Sequence, residues 1–500
     1  MAALQDKFAR LSQRLIVCAA MFAASSAQFI RAQQFPFGTQ HQAYRTGTLT
    51  PTNFTHAQTN AHVAAYYDYW KDHWLKPEPG GQGWRVLSDN SGKTVSEGQG
   101  YGMVVVPLMA GHDPQAKTIF DGLWQFRLAH PSENDSRLMD WNVPNSSDGN
   151  DSAFDGDADI AYGLLLAHAQ WGSNGAINYL EQAKSVIAGI RAKTIGPTSK
   201  LPMLGDWVNP IGSTYSQWTT RSSDFMPGHF RAYGAATGDS AYWTSVVTAV
   251  QNVITNIQSN EAAATGLLPD FVQLVGTPRD PQPAAPNLLE GPDDGHYWYN
   301  AGRDPWRLGV DAILNNDPTT LAQVQRINQW ARTSTGANPN NVKGGYQLSG
   351  TALNSWSDLF FISPLAVAAM TGTTAADQTW LNSLYSRIYQ SHSTGDYYAD
   401  AVTLQSLLAV TGNMWDPMAV LAAPLPGDFN HDNRVDSADY IIWRNTHGTP
   451  EGYSTWRARF GESVGSSSAD STNEALPEPA SFFLLVVGLL SIGSARRAGK

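Results

Sequence analysis

The chain has 500 residues, of which 42 % are hydrophobic, 15 % charged and 11 % aromatic, with 17 Trp, 19 Tyr and a net charge of −11. That hydrophobic share excludes disorder throughout, and the acidity argues against nucleic acid as a partner, because a phosphate backbone calls for a basic footprint. Neither a P-loop nor a dinucleotide glycine motif in a βαβ setting is present.

From the N-terminus, Lys7, Arg10 and Arg14 precede the apolar run 15–27, which small residues follow. This pattern predicts a signal peptide over 1–32, with cleavage after Ala27 or Ala32. The single cysteine, Cys18, lies inside it. The mature chain then has no disulfide and no thiol nucleophile. The expected location is exported, in the cell envelope or outside the cell.

The body from Thr55 to Trp415 carries 3.6-residue apolar spacing and little strict alternation. Helices are predicted over 57–75, 97–111, 114–129, 157–171, 175–193, 225–238, 240–259, 302–315, 317–333, 358–371, 374–391 and 399–412. Twelve helices in six hairpins predict an all-α fold, an (α/α)6 barrel of inner and outer helices. A long loop rich in Pro and Asp, about 265–300, separates the seventh and eighth helices, and structureless loops of this length are often functional.

Four motifs in the body bear chemistry. Ser96-Glu97-Gly-Gln-Gly-Tyr-Gly-Met103 opens a helix with three glycines in five residues, a costly start that fits close approach of a ligand. Ser96 is a plausible N-cap. A helix N-terminus lowers a carboxyl pKa, so Glu97 can serve as an acid only if burial or a neighbouring carboxylate outweighs the dipole. Asp151, Asp155, Asp157 and Asp159 crowd a second helix start. A calcium-loop reading there fails at position twelve, which falls on Tyr162 or Leu166. The third motif is Arg221-Ser-Ser-Asp224-Phe-Met-Pro-Gly-His229, and the fourth is Tyr299-Asn300-Ala-Gly-Arg303-Asp-Pro-Trp-Arg307.

With Asp396-Tyr-Tyr-Ala-Asp400, these motifs resemble glycoside hydrolase family 8 in order over residues 40–420. Phe154 and Gly163 depart from the usual signature. The resemblance implies an (α/α)6 barrel that cleaves β-1,4-linked polysaccharide with inversion. It implies Glu97 as general acid and Asp155 as the acid that contacts the distorted sugar. The family's usual base position holds Asn300, and an amide cannot accept a proton at neutral pH. A branch of the family that carries this Asn takes its base from a Glu in the preceding loop. Glu290 is the candidate here, with Asp293 and Asp294 as fallbacks. Expected substrate contacts are Trp141, Arg221, Asp224, Tyr299, Asn300, Arg303 and Tyr397. Trp207, Tyr346 and Tyr398 are further stacking candidates, and Arg307 is either a hydroxyl contact or a structural partner. The expected substrate is a β-glucan of cellulose or mixed-linkage type. The alternatives are chitosan, or a catalytically silent protein that binds polysaccharide. No cofactor is expected in catalysis.

The domains expected are the signal peptide 1–32, a catalytic domain 33–422, a calcium module 426–463, a Ser-rich linker 464–476 and a sorting segment 477–500. Asp428, Asn430, Asp432, the Arg434 carbonyl, Asp436 and Asp439 fill calcium-loop positions 1, 3, 5, 7, 9 and 12. With Asp at position 12, the loop resembles a dockerin repeat. Tyr453-Ser-Thr-Trp456-Arg457 echoes Tyr440-Ile-Ile-Trp443-Arg444 as a second half without calcium. Such a module either docks to a cohesin-like or envelope partner or serves only as a stability module, and the sequence leaves both open. Pro477-Glu478-Pro479, an apolar run and Arg496-Arg497 resemble a PEP-CTERM sorting tail. Membrane contact is expected only through this tail and the signal peptide.

Overall fold

The computed structural model describes residues 33–80, 83–144, 150–392, 395–422, 426–429, 435–446 and 448–462. The signal and sorting segments lie outside them. The chain divides into two units, Gln33–Pro424 and a smaller one whose described residues fall within 426–462. Among the described residues, no helix is long and apolar enough to cross a membrane.

The large unit is built on α1 (His56–Trp74), α2 (Ser96–Leu108), α3 (Ala116–Ala129), α4 (Phe154–Trp171), α5 (Tyr179–Lys193), α6 (Pro227–Thr237), α7 (Ser240–Asn260), α8 (Asp304–Asn315), α9 (Pro318–Ser334), α10 (Leu359–Ala369), α11 (Ala375–Ile388) and α12 (Tyr397–Val410), with a short α13 (Pro417–Ala422). Each of the twelve predicted helices has its counterpart in α1–α12, with ends shifted by a few residues. The even-numbered helices pack in sequence, α2 on α4, α4 on α6, and so on to α12, which returns to α2. This closed inner ring is consistent with an (α/α)6 barrel. α2, α4, α10 and α12 bury nearly every residue. The odd-numbered helices bury one stripe each. On α7 the stripe is Trp243, Val246, Val247, Val250, Ile254 and Ile257, at the spacing of one helical face. Side-chain caps from Thr55, Asn178, Asp239, Asp317 and Thr374 start the outer helices α1, α5, α7, α9 and α11.

The glycines around Glu97 serve packing, where the sequence reading gave them to a ligand. A Cβ on Gly100 would lie 2.7 Å from the Asp159 Cβ, and one on Gly156 would lie 2.5 Å from the Ser96 carbonyl carbon. The bare backbones let α2 and α4 meet closely, which sets Glu97 beside Asp155. Gly163, one of the departures from the family signature, has the same cause, since a Cβ there would fall 2.6 Å from the Met103 carbonyl oxygen. Ser96 is not the N-cap. It is the first helical residue, Val95 holds the cap position, and no side chain caps the helix.

Short strands position the loops around the barrel mouth. β1 (Leu75–Pro77) pairs with β2 (Trp84–Val86), and β3 (Thr94–Val95) pairs with β4 (Asn142–Val143). The second pairing brings the Trp141 carbonyl within 2.9 Å of Ser96 N. The long loop is more structured than the sequence reading expected. It contains the hairpin β6 (Phe271–Val275) and β7 (Asp280–Pro283), and β5 (Thr219–Arg221) extends this into a three-stranded antiparallel sheet with Arg221 opposite Phe271. Helical periodicity in the flanks masks so short a sheet.

In the small unit, α14 (Ser437–Thr446) packs against α15 (Pro450–Arg459). The echoed aromatics meet, Tyr440 against Trp456 at 5.1 Å and Trp443 against Tyr453 at 5.4 Å between centroids. Buried Trp456 donates from Nε1 to the Asp436 carbonyl at 2.7 Å.

Candidate active site

An open cleft at one end of the barrel is lined by Glu97 and Ser96 from α2, Ala153 and Asp155 from the start of α4, and Trp141, Arg221, Glu290, Tyr299, Asn300, Tyr397 and Tyr398. Residues as far apart as Glu97 and Tyr397 therefore share one surface, because the inner helices α2, α4, α6, α8 and α12 present their N-terminal turns or preceding loops to it.

Arg303 is the hub. Its side chain is 1 % exposed. Nη1 donates to Glu97 Oε2 at 2.7 Å, to Asp155 Oδ2 at 2.8 Å and to the Tyr101 hydroxyl at 3.1 Å. Nη2 donates to Ser223 Oγ at 2.7 Å and to Asn300 Oδ1 at 3.0 Å. The planar guanidinium fork serves both sides of the site at once. Tyr397 donates its hydroxyl to Glu97 Oε1 at 2.5 Å.

Glu97 and Asp155 sit side by side but differ in charge state. Burial pushes the Glu97 carboxyl up to about 7; the cation of Arg303 opposes this, while Asp155 adds to it. The dipole of α2 is outweighed, the condition set in the sequence reading. Burial would also raise Asp155, but Arg303 and Arg221 hold it below the usual carboxylate range. Two neighbouring carboxyls with separated pKa values are the mark of distinct roles.

Glu290 lies on the other side. Its side chain is 46 % exposed, and Oε1 accepts from Arg221 Nη2 at 3.1 Å. Oε2 accepts from Asn300 Nδ2 at 2.8 Å. Of the three candidate bases, Glu290 alone lines the cleft. Asp294 is buried and ties the loop together, accepting from the backbone N–H groups of Leu289, Glu290 and Gly291. Asp293 faces His296 at 3.1 Å.

The other expected contacts divide. Trp141, Arg221, Tyr299, Asn300 and Tyr397 reach the cleft, whereas Asp224 and Arg303 are buried behind it. Burial drives the Asp224 carboxyl up to about 8, against the pull of Arg221. Tyr398 also lines the cleft; Trp207 does not, and Tyr346 is buried against Tyr297 and Trp330. Arg307 is a structural partner. It grips buried Asp159 with two donors at 2.8 and 2.5 Å, and His229 Nε2 lies 2.8 Å from the same carboxylate.

Asp270 was missed by sequence reasoning. It is buried and accepts from the backbone N–H groups of Trp298, Asn300 and Ala301 at 2.9, 3.1 and 2.7 Å, and from Asn300 Nδ2 at 3.2 Å. It thus shapes the turn that carries Tyr299 and Asn300. Burial pushes its carboxyl up to about 7, against those N–H donors. The one signal was an acid closing the apolar stretch Leu267-Leu268-Pro269.

In the small unit, Asp428 and Asp439 are buried. Asp439 accepts from Phe429 N at 2.8 Å and from Asp436 N at 2.7 Å, which joins the two ends of the loop. Asn430, Asp432 and Arg434 lie outside the described residues. Among the described residues, no three His, Cys, Asp or Glu side chains converge as a metal site.

Residues 44–412 match the family model described as glycosyl hydrolases family 8. The chain is 41 % identical over 412 residues to a β-glucanase of Niallia circulans, covering 82 % of this chain and 98 % of that one. It is 35 % identical over 411 residues to an endoglucanase of Bacillus sp. (strain KSM-330), covering 79 % and 85 % respectively. The solved apo structure of a β-1,3-1,4-glucanase from Paenibacillus sp. X4 superposes with a TM-score of 0.73 at 41 % identity, over 77 % of this chain and all of that one. These matches establish that the chain belongs to glycosyl hydrolase family 8.

Proposed function

We propose that the protein is an inverting endo-glycosidase that hydrolyses β-1,4-linked glucan of the cellulose or mixed-linkage type. The observation that carries this reading is a single cleft with a raised carboxyl, Glu97, on one side and a partly exposed candidate base, Glu290, bonded to Arg221 and Asn300, on the other. Arg303, Asn300 and Arg221 stand between them. Inversion calls for carboxyls about 6.5–9.5 Å apart, with room for a water at the base.

In this reading, Glu97 gives its proton to the glycosidic oxygen as the C–O bond breaks. Glu290 takes a proton from the water that attacks the anomeric carbon from the opposite face. Asp155, kept anionic by its two arginines, faces the positive charge that develops on the ring. The aromatic rings of Trp141, Tyr299, Tyr397 and Tyr398 offer flat faces to sugar rings. The names of the relatives, β-glucanase, endoglucanase and β-1,3-1,4-glucanase, support glucan over chitosan.

The test is release of reducing ends by wild type, Glu97→Gln and Glu290→Gln on mixed-linkage glucan, carboxymethylcellulose, xylan and chitosan. Wild type is expected to act best on a glucan, and each variant to lose at least about a hundredfold. An active Glu290→Gln would place the base elsewhere, and a preference for chitosan would replace the substrate.

The same proposal includes export through 1–32, sorting through 477–500, and a dockerin-like unit over 426–463 that binds calcium through Asp428, Asn430, Asp432, the Arg434 carbonyl, Asp436 and Asp439. Asp428 and Asp439, at loop positions 1 and 12, are buried, and Asp439 ties the two ends of the loop together, which supports it. Bound calcium would brace the loop, and the unit would present a surface for a cohesin-like or envelope partner.

A further inference from the structure

Trp356 is 42 % exposed, whereas Trp70, Trp243, Trp380 and Trp415 are fully buried. It stands just outside the cleft. Its ring lies over that of cleft-lining Tyr299 with centroids 6.5 Å apart and planes 26° from parallel. Trp298 meets it edge-on at 5.9 Å. The aromatic surface of the cleft therefore continues outward from Tyr398 and Tyr299 to Trp356.

This position is held firmly. Gly344 N donates to the Trp356 carbonyl at 2.9 Å, Asn354 Nδ2 donates to the Gly344 carbonyl at 2.8 Å, and Ser357 Oγ donates to the Val342 carbonyl at 2.6 Å. A Cβ on Gly344 would lie 2.0 Å from the Trp356 ring, and one on Gly345 would lie 2.2 Å from the Trp298 ring. The backbone is left bare where the two indoles seat. Beside them, the Tyr299 hydroxyl donates to Asp358 Oδ2 at 3.3 Å, which adds a carboxylate to the rim. An apolar face kept in water at the edge of a polar cleft matches the C–H face of a pyranose, with acceptors at the margin for its hydroxyls.

We propose that Trp356, stepped beyond Tyr299, forms an outer subsite that stacks a glucosyl unit of the β-glucan chain lying in the cleft. The occupant is the substrate polymer itself, because the ledge is continuous with the cleft. This inference rests on the glucanase reading above.

The test compares wild type with Trp356→Ala, Trp356→Gln and Trp356→Phe, each checked by its thermal melt. Phe keeps a ring over Gly344 and Gln does not, so the comparison survives if the Ala variant fails to fold. Affinity electrophoresis in mixed-linkage glucan, in a Glu97→Gln background, reads binding without turnover. Steady-state kinetics on cellotriose to cellohexaose read reach. Loss of the face is expected to weaken polymer binding about three- to tenfold. It should raise KM on the longest oligosaccharides, leave kcat and the shortest ones unchanged, and be largely restored by Phe. If wild type binds and cuts glucan while the Ala and Gln variants match it at every length, the ledge is overturned and the enzyme reading stands. If wild type neither binds nor cuts glucan, both fall.

Discussion

Asn300 donates from Nδ2 to Glu290 Oε2 at 2.8 Å, so the amide at the family's usual base position is bonded to the carboxylate proposed as its replacement. Asn300 Oδ1 accepts from Arg303, which in turn holds Glu97. Only an amide can do both, since a carboxylate lacks the donor. Asn300→Asp would set a third carboxylate against Glu290 and Asp270. The expected result is a fall in kcat of about a hundredfold or more, with a weaker effect on KM. An Asn300→Asp variant as active as wild type would show that the amide's bond to Glu290 is dispensable.

The charge state of Glu97 sets the alkaline limb of activity. The acid must carry its proton, so kcat/KM should fall as pH rises through about 7. The Tyr397 hydroxyl bonds the carboxylate and favours its charged form. Tyr397→Phe should therefore move the alkaline limb to higher pH, read from the pH profile of kcat/KM. A shift to lower pH would contradict the account.

The same group leaves a mark on stability. Its folded pKa lies above the unfolded value, so the folded state binds the extra proton between about 4.5 and 7 and loses stability as pH rises across that window. Glu97→Gln removes the dependence. Relative to wild type, the variant should gain about 1–3 kcal/mol between pH 4.5 and pH 7, measured by denaturant unfolding at several pH values. A difference that stays flat with pH would mean Glu97 is not raised.

Asp159 behaves in the opposite sense. Burial opposes its ionisation, but Arg307 and His229 hold it well below the usual carboxylate range. Asp159→Asn would leave buried Arg307 without its counter-charge, and a loss of about 3–5 kcal/mol is expected from chemical denaturation at neutral pH. A loss under about 1 kcal/mol would show that the pair contributes little.

Calcium is expected to bind the full chain after chelator treatment, with one equivalent seen by calorimetry. Binding should be lost in Asp439→Ala, while glucanase activity stays unchanged. Heat of binding that persists in Asp439→Ala would remove the loop from the proposal.

Much of the site could be read from contiguous motifs. Glu97, Asp155, Glu290 and Arg303 each lie in a run whose composition is hard to explain otherwise. The twelve helices followed from periodicity and breakers. Asp270 escaped because its partners, residues 298–301, are distant in sequence and mostly backbone N–H groups, which leave no pattern. The glycines after Glu97 were assigned to a ligand because helix–helix approach is invisible until the second helix is in place. The β5–β6–β7 sheet was hidden by its short strands.

The central claim is a pair of carboxyls acting from opposite faces of the sugar. The most direct measurement is proton NMR of the anomeric signals during the first minutes of mixed-linkage glucan hydrolysis. Appearance of the α-anomer first, followed by mutarotation, is the predicted result. Appearance of the β-anomer first would mean retention and would contradict the roles given to Glu97 and Glu290.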